Sequence, residues 1–434
     1  MNKISVFWFR RDLRLHDNVG LFHALNSGKR ILPIFIFDST ILKKLQKNDA
    51  RITFIHKELN KLNQYLKPLN SGIHFYHGTP KKIFQSLVEK YQIVDVYTNH
   101  DYEPYAIQRD LEIEELLSLN NIQFHTYKDQ VIFERNEITK QDGNPYVVYT
   151  PYSKKWLEAY RQKRKKNYPS EDLLDQFSTE IELPTLTLKD IGFTQTTTSI
   201  QEYIFNSRII NEYEETRNYP YLDNTSKLGP HLRFGTVSVR QMIARAKNQE
   251  NPTFLKELIW REFFMQILWH FPHTHKDSFK SKYDRIIWRN NEEEFKKWCN
   301  GETGYPLVDA GMRQLNQTGF MHNRVRMLVG SFLCKHLLID WRWGEAYFAE
   351  KLHDYEMASN VGNWQWVAGT GVDAAPYFRI FNPTTQIQKF DKDLKYIKKW
   401  VPDFQELTYP APMVDHKFAR ERCLKTYKEA LSKF

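Results

Sequence analysis

Two periodicities divide this chain, and they limit its fold more than any other feature. Over roughly the first 125 residues, short apolar stretches alternate with amphipathic ones. Ser5 to Phe9, Arg30 to Phe37, Gly72 to Tyr76, Asp95 to Thr98 and Gln123 to Tyr127 are expected as strands. Between them Ile52, Ile55, Leu59, Leu62 and Leu66 recur at helical steps, and Pro104 stands at a helix start before Ile107, Leu111 and Leu116. Strands separated by helices imply right-handed crossovers, hence a doubly wound parallel-sheet (Rossmann-like) α/β domain with ligands at the carboxyl ends of its strands. From about residue 201 helical periodicity dominates, so a larger all-α domain is expected to follow. The expected division is 1–127, a connector at 128–200 and 201–434. The connector holds a basic run, Lys154 to Lys166, then Pro184 and a polar stretch ending at Ser199. No GxGxxG follows the first strand. Arg10-Arg11-Asp12-Leu13-Arg14-Leu15-His16-Asp17-Asn18 stands there, which disfavours a nicotinamide dinucleotide at that turn.

The 62 Lys and Arg against 52 Asp and Glu leave a net charge of +10, which favours a polyanionic partner, nucleic acid first. The longest apolar stretch, Val325 to Trp341, is interrupted by Arg326, Lys335, His336 and Asp340, so it is expected as a buried helix and not a membrane span. The short apolar run before Arg10 and Arg11 is no signal peptide, which points to the cytoplasm. Three scattered cysteines, Cys299, Cys334 and Cys423, suit neither a disulfide framework nor a zinc site, and no metal is expected.

Nine of the eleven tryptophans lie beyond residue 201, and core packing is the ordinary reason for most of them. In Asn363-Trp364-Gln365-Trp366 two indoles stand two positions apart, so one helical stripe cannot bury both and one is expected at a cavity. Glu257 and Arg261 fall one turn apart, the spacing of a surface ion pair, but Leu258, Ile259, Trp260, Phe263 and Phe264 around them suggest a partly dry cleft. In Met321-His322-Asn323-Arg324-Val325-Arg326-Met327 two guanidiniums suit an oxyanion, while a surface charge cluster is the plain alternative and His322 is expected to be structural. Asn224-Thr225-Ser226-Lys227-Leu228-Gly229-Pro230 resembles a helix start, either an ordinary cap or a pyrophosphate cradle.

Taken in order, these segments resemble the photolyase/cryptochrome family, most closely its bacterial cyclobutane-pyrimidine-dimer photolyases. The resemblance begins at Val6 to Asn18 and is densest from Thr225 to Trp400, through Gly304 to Ala310, Phe320 to Met327, Asn363 to Trp366 and Asp373 to Pro383. It implies FAD in the helical domain, active in its reduced anionic form. By the same resemblance, Tyr213, Thr225, Ser226, Lys227, Leu228 and Gly229 would hold the ribose and pyrophosphate. Arg326 and Asp354 would form a buried pair at the flavin, with Tyr355 and Glu356 nearby and Asn360 facing N5. Trp288, Trp341 and Trp364 would carry electrons from the surface inward. Glu257, Trp260, Arg261, Asn323, Met327 and Trp366 would meet the lesion, and Arg217, Arg324 and Arg379 its phosphates.

The implied activity is light-driven dimer repair in DNA by a monomer. A second, antenna chromophore is implied for the amino-terminal domain, a deazaflavin, a flavin or a folate, although Ala106 replaces the Glu of folate-using relatives. The alternatives are a cryptochrome photoreceptor, a (6-4) photoproduct lyase, and a basic nucleotide-binding protein whose aromatics merely pack. The intact Glu257, Trp260, Asn323 and Met327 set favours dimer repair.

Overall fold

A computed structural model describes residues 3–163, 166–179 and 186–432, so Pro184 and the Arg164–Lys165 part of the basic run lie outside the described residues. The chain forms two compact units, each assembled from separate stretches. The first comprises Met1–Glu137, Glu158–Gln201 and Leu228–Lys247, and the second Ile138–Leu157, Glu202–Lys227 and Asn248–Phe434.

In the first unit five strands, β1 (Ile4–Phe9), β2 (Arg30–Asp38), β3 (His74–Gly78), β4 (Ile93–Asn99) and β5 (Gln123–Tyr127), form one sheet in the order β3-β2-β1-β4-β5. Every pairing is parallel; on β1, Ile4 to Phe9 run opposite Arg30 to Phe35 of β2. A central strand has no solvent face, and all six β1 residues are buried. Ile4, Val6 and Trp8 pack with Phe84, Leu87, Ile113 and Leu117 on one side, while Phe7 and Phe9 meet Leu21, Leu25, Ile52 and Leu59 on the other. Each such burial stabilises the fold by about 1.5–3 kcal/mol. A charged residue at Val6 would lie unpaired between those layers.

Strand order reverses between β1 and β4, where an open α/β sheet offers its ligand crevice. Here the chain's own side chains fill it. Asn99 donates to the Asp12 carboxylate at 2.6 Å and to Asn18 Oδ1 at 2.7 Å, and its own carbonyl accepts the Gly20 N–H at 2.9 Å. A Cβ on Gly20 would stand 2.8 Å from that oxygen, so the close approach requires glycine. Buried Arg14 donates through Nη2 to both Asp129 carboxylate oxygens, at 2.8 and 2.7 Å. Burial alone would raise the Asp129 pKa, but Arg14 and Arg240 hold it at about 2. The missing glycine fingerprint and this filled crevice are one fact seen at two levels.

The second unit is built of helices, chief among them Thr253–His270, Pro306–Thr318, Asn323–Ser331, Trp341–Lys351 and Met357–Ala368. Their shared core includes Trp298, Phe332, Trp341 and Trp364. The stretch expected as one helix from Val325 to Trp341 is instead broken. Its α-helix ends at Ser331, a π-helical turn runs Phe332–His336, and Leu338 takes a left-handed φ of 50° before the next helix starts at Trp341. Within the turn, buried Lys335 donates to the carbonyls of Ala368 at 2.7 Å and Tyr377 at 3.2 Å, and burial pulls its pKa down to about 8. The Lys335 charge that interrupts the apolar run is thus satisfied inside the core. No described helix is long and apolar enough to cross a membrane.

Candidate functional site

The Thr253–His270 helix is buried over most of its circumference, so its polar residues must find partners outside it. Glu262 accepts the Trp156 indole N–H at 2.6 Å. Glu257 pairs with Arg217 at 2.5 Å, and Arg261 pairs with Glu356 at 3.1 Å. Of the two readings the spacing allowed, the Glu257–Arg261 surface pair is not made: each charge is taken by a residue of a different segment. Trp260 stacks flat on Tyr149, ring centroids 3.7 Å apart, and the Tyr149 hydroxyl donates to the Lys256 carbonyl at 2.7 Å.

His322 caps the Asn323–Ser331 helix through Nδ1, which accepts the Arg324 N–H at 3.2 Å. Burial, with Lys227, Arg326 and Arg324 near, lowers its pKa to about 4, so the ring is neutral and structural, as expected. From the first turns of this helix Arg326 forks onto Asp354 at 3.2 and 2.9 Å and donates to the Met321 carbonyl at 2.7 Å. This pair is half-buried, with side chains 24% and 20% exposed, and stands at a cavity wall. Arg324 turns to Asn218 and lies 4.4 Å over the Phe390 ring. Arg379 is exposed, over Phe381.

One cavity gathers much of what the sequence singled out. Asn323, Arg326 and Met327 line it from one helix, Asp354, Tyr355 and Glu356 from the loop after the Trp341–Lys351 helix, and Asn360, Trp364 and Trp366 from the Met357–Ala368 helix. Trp364 is buried and Trp366 half-buried, and both reach the cavity. Glu257 and Trp260 are not among its walls, and their helix is tied to it through the Arg261–Glu356 pair. Asn360 donates to Glu345, whose carboxyl pKa is raised by burial. Glu345 was not foreseen. Its only sequence signal is a position four residues after Trp341, with no periodicity to mark it.

Of the cradle segment, Thr225 carries a buried hydroxyl with no partner among the described residues, Ser226 is buried, and Lys227 adopts a left-handed φ of 55°. Tyr213 packs on Phe254, with the Arg217 guanidinium over its ring at 5.1 Å. Leu228 and Gly229 open the short Gly229–Phe234 helix, which belongs to the first unit.

Trp341 and Trp364 share the buried core, while Trp288 is half-buried and meets Tyr427 at 6.1 Å. Trp341 and Trp364 make no direct ring contact among the described residues; the ring neighbours of Trp364 are Phe348 at 5.0 Å and Trp298 at 6.2 Å. The orphaned Thr225 hydroxyl, the Arg326–Asp354 fork and the amide and indole walls suit a large, flat, polar cofactor with a phosphate arm.

Comparison with known proteins agrees. Residues 254–408 match the family described as the FAD binding domain of DNA photolyase, and residues 5–170 match the DNA photolyase family. A deoxyribodipyrimidine photo-lyase of Synechococcus is 36% identical over 98% of this chain and 96% of its own length. The crystal structure of a class III photolyase from Agrobacterium tumefaciens superposes with a TM-score of 0.88 at 32% identity, covering 99% of this chain and 98% of that one. An archaeal photolyase from Sulfolobus tokodaii, solved with two FAD molecules, gives 0.82 at 33% identity over 99% of this chain and all of its own. With the site's geometry and these full-length likenesses in agreement, the chain belongs to the DNA photolyase family.

Proposed function

We infer that this protein is a deoxyribodipyrimidine photolyase, an FAD enzyme that uses blue or near-ultraviolet light to split cyclobutane pyrimidine dimers in DNA. The observation that carries the reading is the single cavity in which Asn323, Met327 and Trp366 share walls with Arg326, Asp354, Asn360 and Trp364. Bound reduced FAD supplies the hard chemistry, one light-driven electron lent to the dimer and recovered after the ring opens.

The chain's own residues bind, orient and exclude water. Tyr213, Thr225, Ser226 and Lys227 of the second unit hold the phosphate arm, and the Arg326–Asp354 pair, Tyr355 and Glu356 fix the ring system. Asn360 offers a neutral amide where a carboxylate would oppose an anionic ring. Trp260 and Trp366 give the dimer apolar faces, while Asn323 and Glu257 serve its polar edges. Glu257 does so with Arg217 beside it, and Arg261 steadies that helix through Glu356. Trp288, Trp341 and Trp364 feed electrons inward from the surface. Photolyases as a class extrude the target base from the duplex before acting on it.

A net charge of +10, with Arg217, Arg324 and Arg379 at the lesion's phosphates, draws duplex DNA with little sequence preference. The protein works as a monomer on cytoplasmic DNA. A second chromophore, a deazaflavin, a flavin or a folate, extends the same reading. The test is a defined thymine-dimer oligonucleotide incubated with the yellow holoprotein in light and in darkness. Repair confined to the illuminated sample supports the assignment; a colourless protein that takes up no FAD, or equal lesion content in both samples, overturns it.

A further inference from the structure

Tyr149 opens the helix Tyr149–Gln162, in the Ile138–Leu157 stretch that folds with the second unit. Its ring lies on the Trp260 indole at 3.7 Å and only 7° from parallel, and Phe263 and Phe264 pack the same indole at 5.5 and 5.4 Å. Phe264 in turn presses on the helix that carries Asn360, Trp364 and Trp366, so closely that a Cβ on Gly362 would stand 2.2 Å from its ring. Tyr149, Phe263 and Phe264 are buried and Trp260 is half-buried, so Trp260 is the ring of the four that a ligand can reach. Building on the photolyase reading, we propose that Tyr149 is a positioning residue for lesion recognition, which holds the Trp260 indole in the plane that stacks on the pyrimidine dimer.

Tyr149 is itself fixed at two further points. Its hydroxyl donates to the Lys256 carbonyl at 2.7 Å, one turn before Trp260 on the same helix. Burial, with Glu257 near, raises its pKa, so the phenol keeps the proton it donates. Its backbone N–H donates to the Asp373 carboxylate at 3.1 Å, and Asp373, at a left-handed φ of 44°, stands in the loop that carries Arg379. One residue therefore joins the apolar face under the dimer to the loop whose guanidinium serves its phosphate.

A loose indole must be immobilised when a ligand stacks on it, which costs about two- to tenfold in affinity for one ordered side chain. An indole already ordered by a parallel ring stack avoids that loss. Undamaged duplex keeps its bases stacked and draws on phosphate contacts, so the gain is confined to the dimer.

The test is fluorescence titration of the FAD-containing protein with a thymine-dimer duplex and with its undamaged counterpart. Tyr149→Leu removes the stack and is expected to lower dimer affinity about fivefold, with undamaged-duplex affinity, FAD content and repair at saturating protein within about twofold of wild type. Tyr149→Phe keeps the stack without the hydroxyl and is expected to retain the preference for the dimer. In a Trp260→Ala background Tyr149→Leu is expected to cost nothing further, because Tyr149 acts through that indole. Equal loss on both duplexes, unchanged dimer affinity in Tyr149→Leu, a lost preference in Tyr149→Phe, or a further loss in the Trp260→Ala background overturns the proposal. So does loss of FAD in both Tyr149→Leu and Tyr149→Met, whose unbranched chain fills irregular space, since Tyr149 would then serve the fold alone. A wild-type protein that binds both duplexes equally refutes the photolyase reading and this role with it, whereas the other contrary outcomes leave that reading intact.

Discussion

The side-chain amide of Asn360 donates twice to Glu345, to its carboxylate at 2.9 Å and to its backbone carbonyl at 3.1 Å. With both contacts made through nitrogen, the amide oxygen is the group left for the cavity. The orientation of a residue at the centre of the site is thus set by a residue one helix away. Glu345→Ala removes the side-chain anchor, a loss of about 1 kcal/mol in holding that orientation, or roughly fivefold in repair per absorbed photon. Glu345→Gln keeps an acceptor and should restore the yield, with FAD bound in both variants. Wild-type yield in Glu345→Ala would contradict this positioning role.

The same carboxyl gives a pH sign. Burial raises the Glu345 pKa, so the folded protein keeps a proton that the unfolded chain releases at lower pH, and this group's contribution falls as pH rises from its ordinary value through its folded one. Glu345→Gln is therefore expected to raise the melting temperature relative to wild type above that range. A lower melting temperature there would count against the assignment.

Glu257 is half-exposed and paired with Arg217, which leaves it reachable by a ligand. Glu257→Ala removes a charged hydrogen bond worth about 1.5–3 kcal/mol, so lesion affinity should drop about tenfold or more while the flavin spectrum stays the same. Fluorescence titration with dimer-containing and undamaged duplexes checks it; equal loss on both would show a general electrostatic role.

Trp364 is packed so closely on Gly344 that a Cβ there would meet its ring at 2.2 Å. Trp364→Phe is expected to block photoreduction of oxidised flavin yet spare repair by chemically reduced enzyme. Gly344→Ala, which displaces the ring by overpacking, should destabilise the fold by about 1–3 kcal/mol. Normal photoreduction in Trp364→Phe, followed by absorbance under blue light, would remove this tryptophan from the electron path.

The sheet was legible because its signal is local. Alternation and strand spacing placed β1 to β5 to within a few residues, and the absent glycine fingerprint matches a crevice closed by Asn99, Asp12 and Asn18. The Phe320–Met327 and Asn363–Trp366 motifs marked residues that do meet at one cavity. What the sequence concealed depends on tertiary choice. Spacing favoured a Glu257–Arg261 pair, while packing gave each residue a partner dozens of positions away. The helical segment Leu228–Lys247 has the periodicity of the second unit yet joins the first, where Arg240 completes the Arg14–Asp129 cluster. The π-helical turn at Lys335 arises from a buried ammonium reaching two carbonyls, which no period reports.

His322 binds fewer protons folded than unfolded, since its pKa falls from 6.5 to about 4. Its contribution to stability is complete above pH 6.5 and is lost as pH falls toward 4, up to about 3 kcal/mol. His336, lowered to about 3 by burial, acts in the same direction. Urea denaturation across this window should show falling stability, with His322→Asn, which preserves a cap, flattening the slope. An unchanged slope in that variant would assign the acid sensitivity elsewhere.

The most direct measurement is the wavelength dependence of dimer reversal in a single thymine-dimer oligonucleotide held by the reduced holoprotein. The account predicts that reversal follows the absorption of the bound FAD and stops in darkness. Reversal that proceeds unlit, or none under blue light by protein carrying its full complement of reduced FAD, would contradict it.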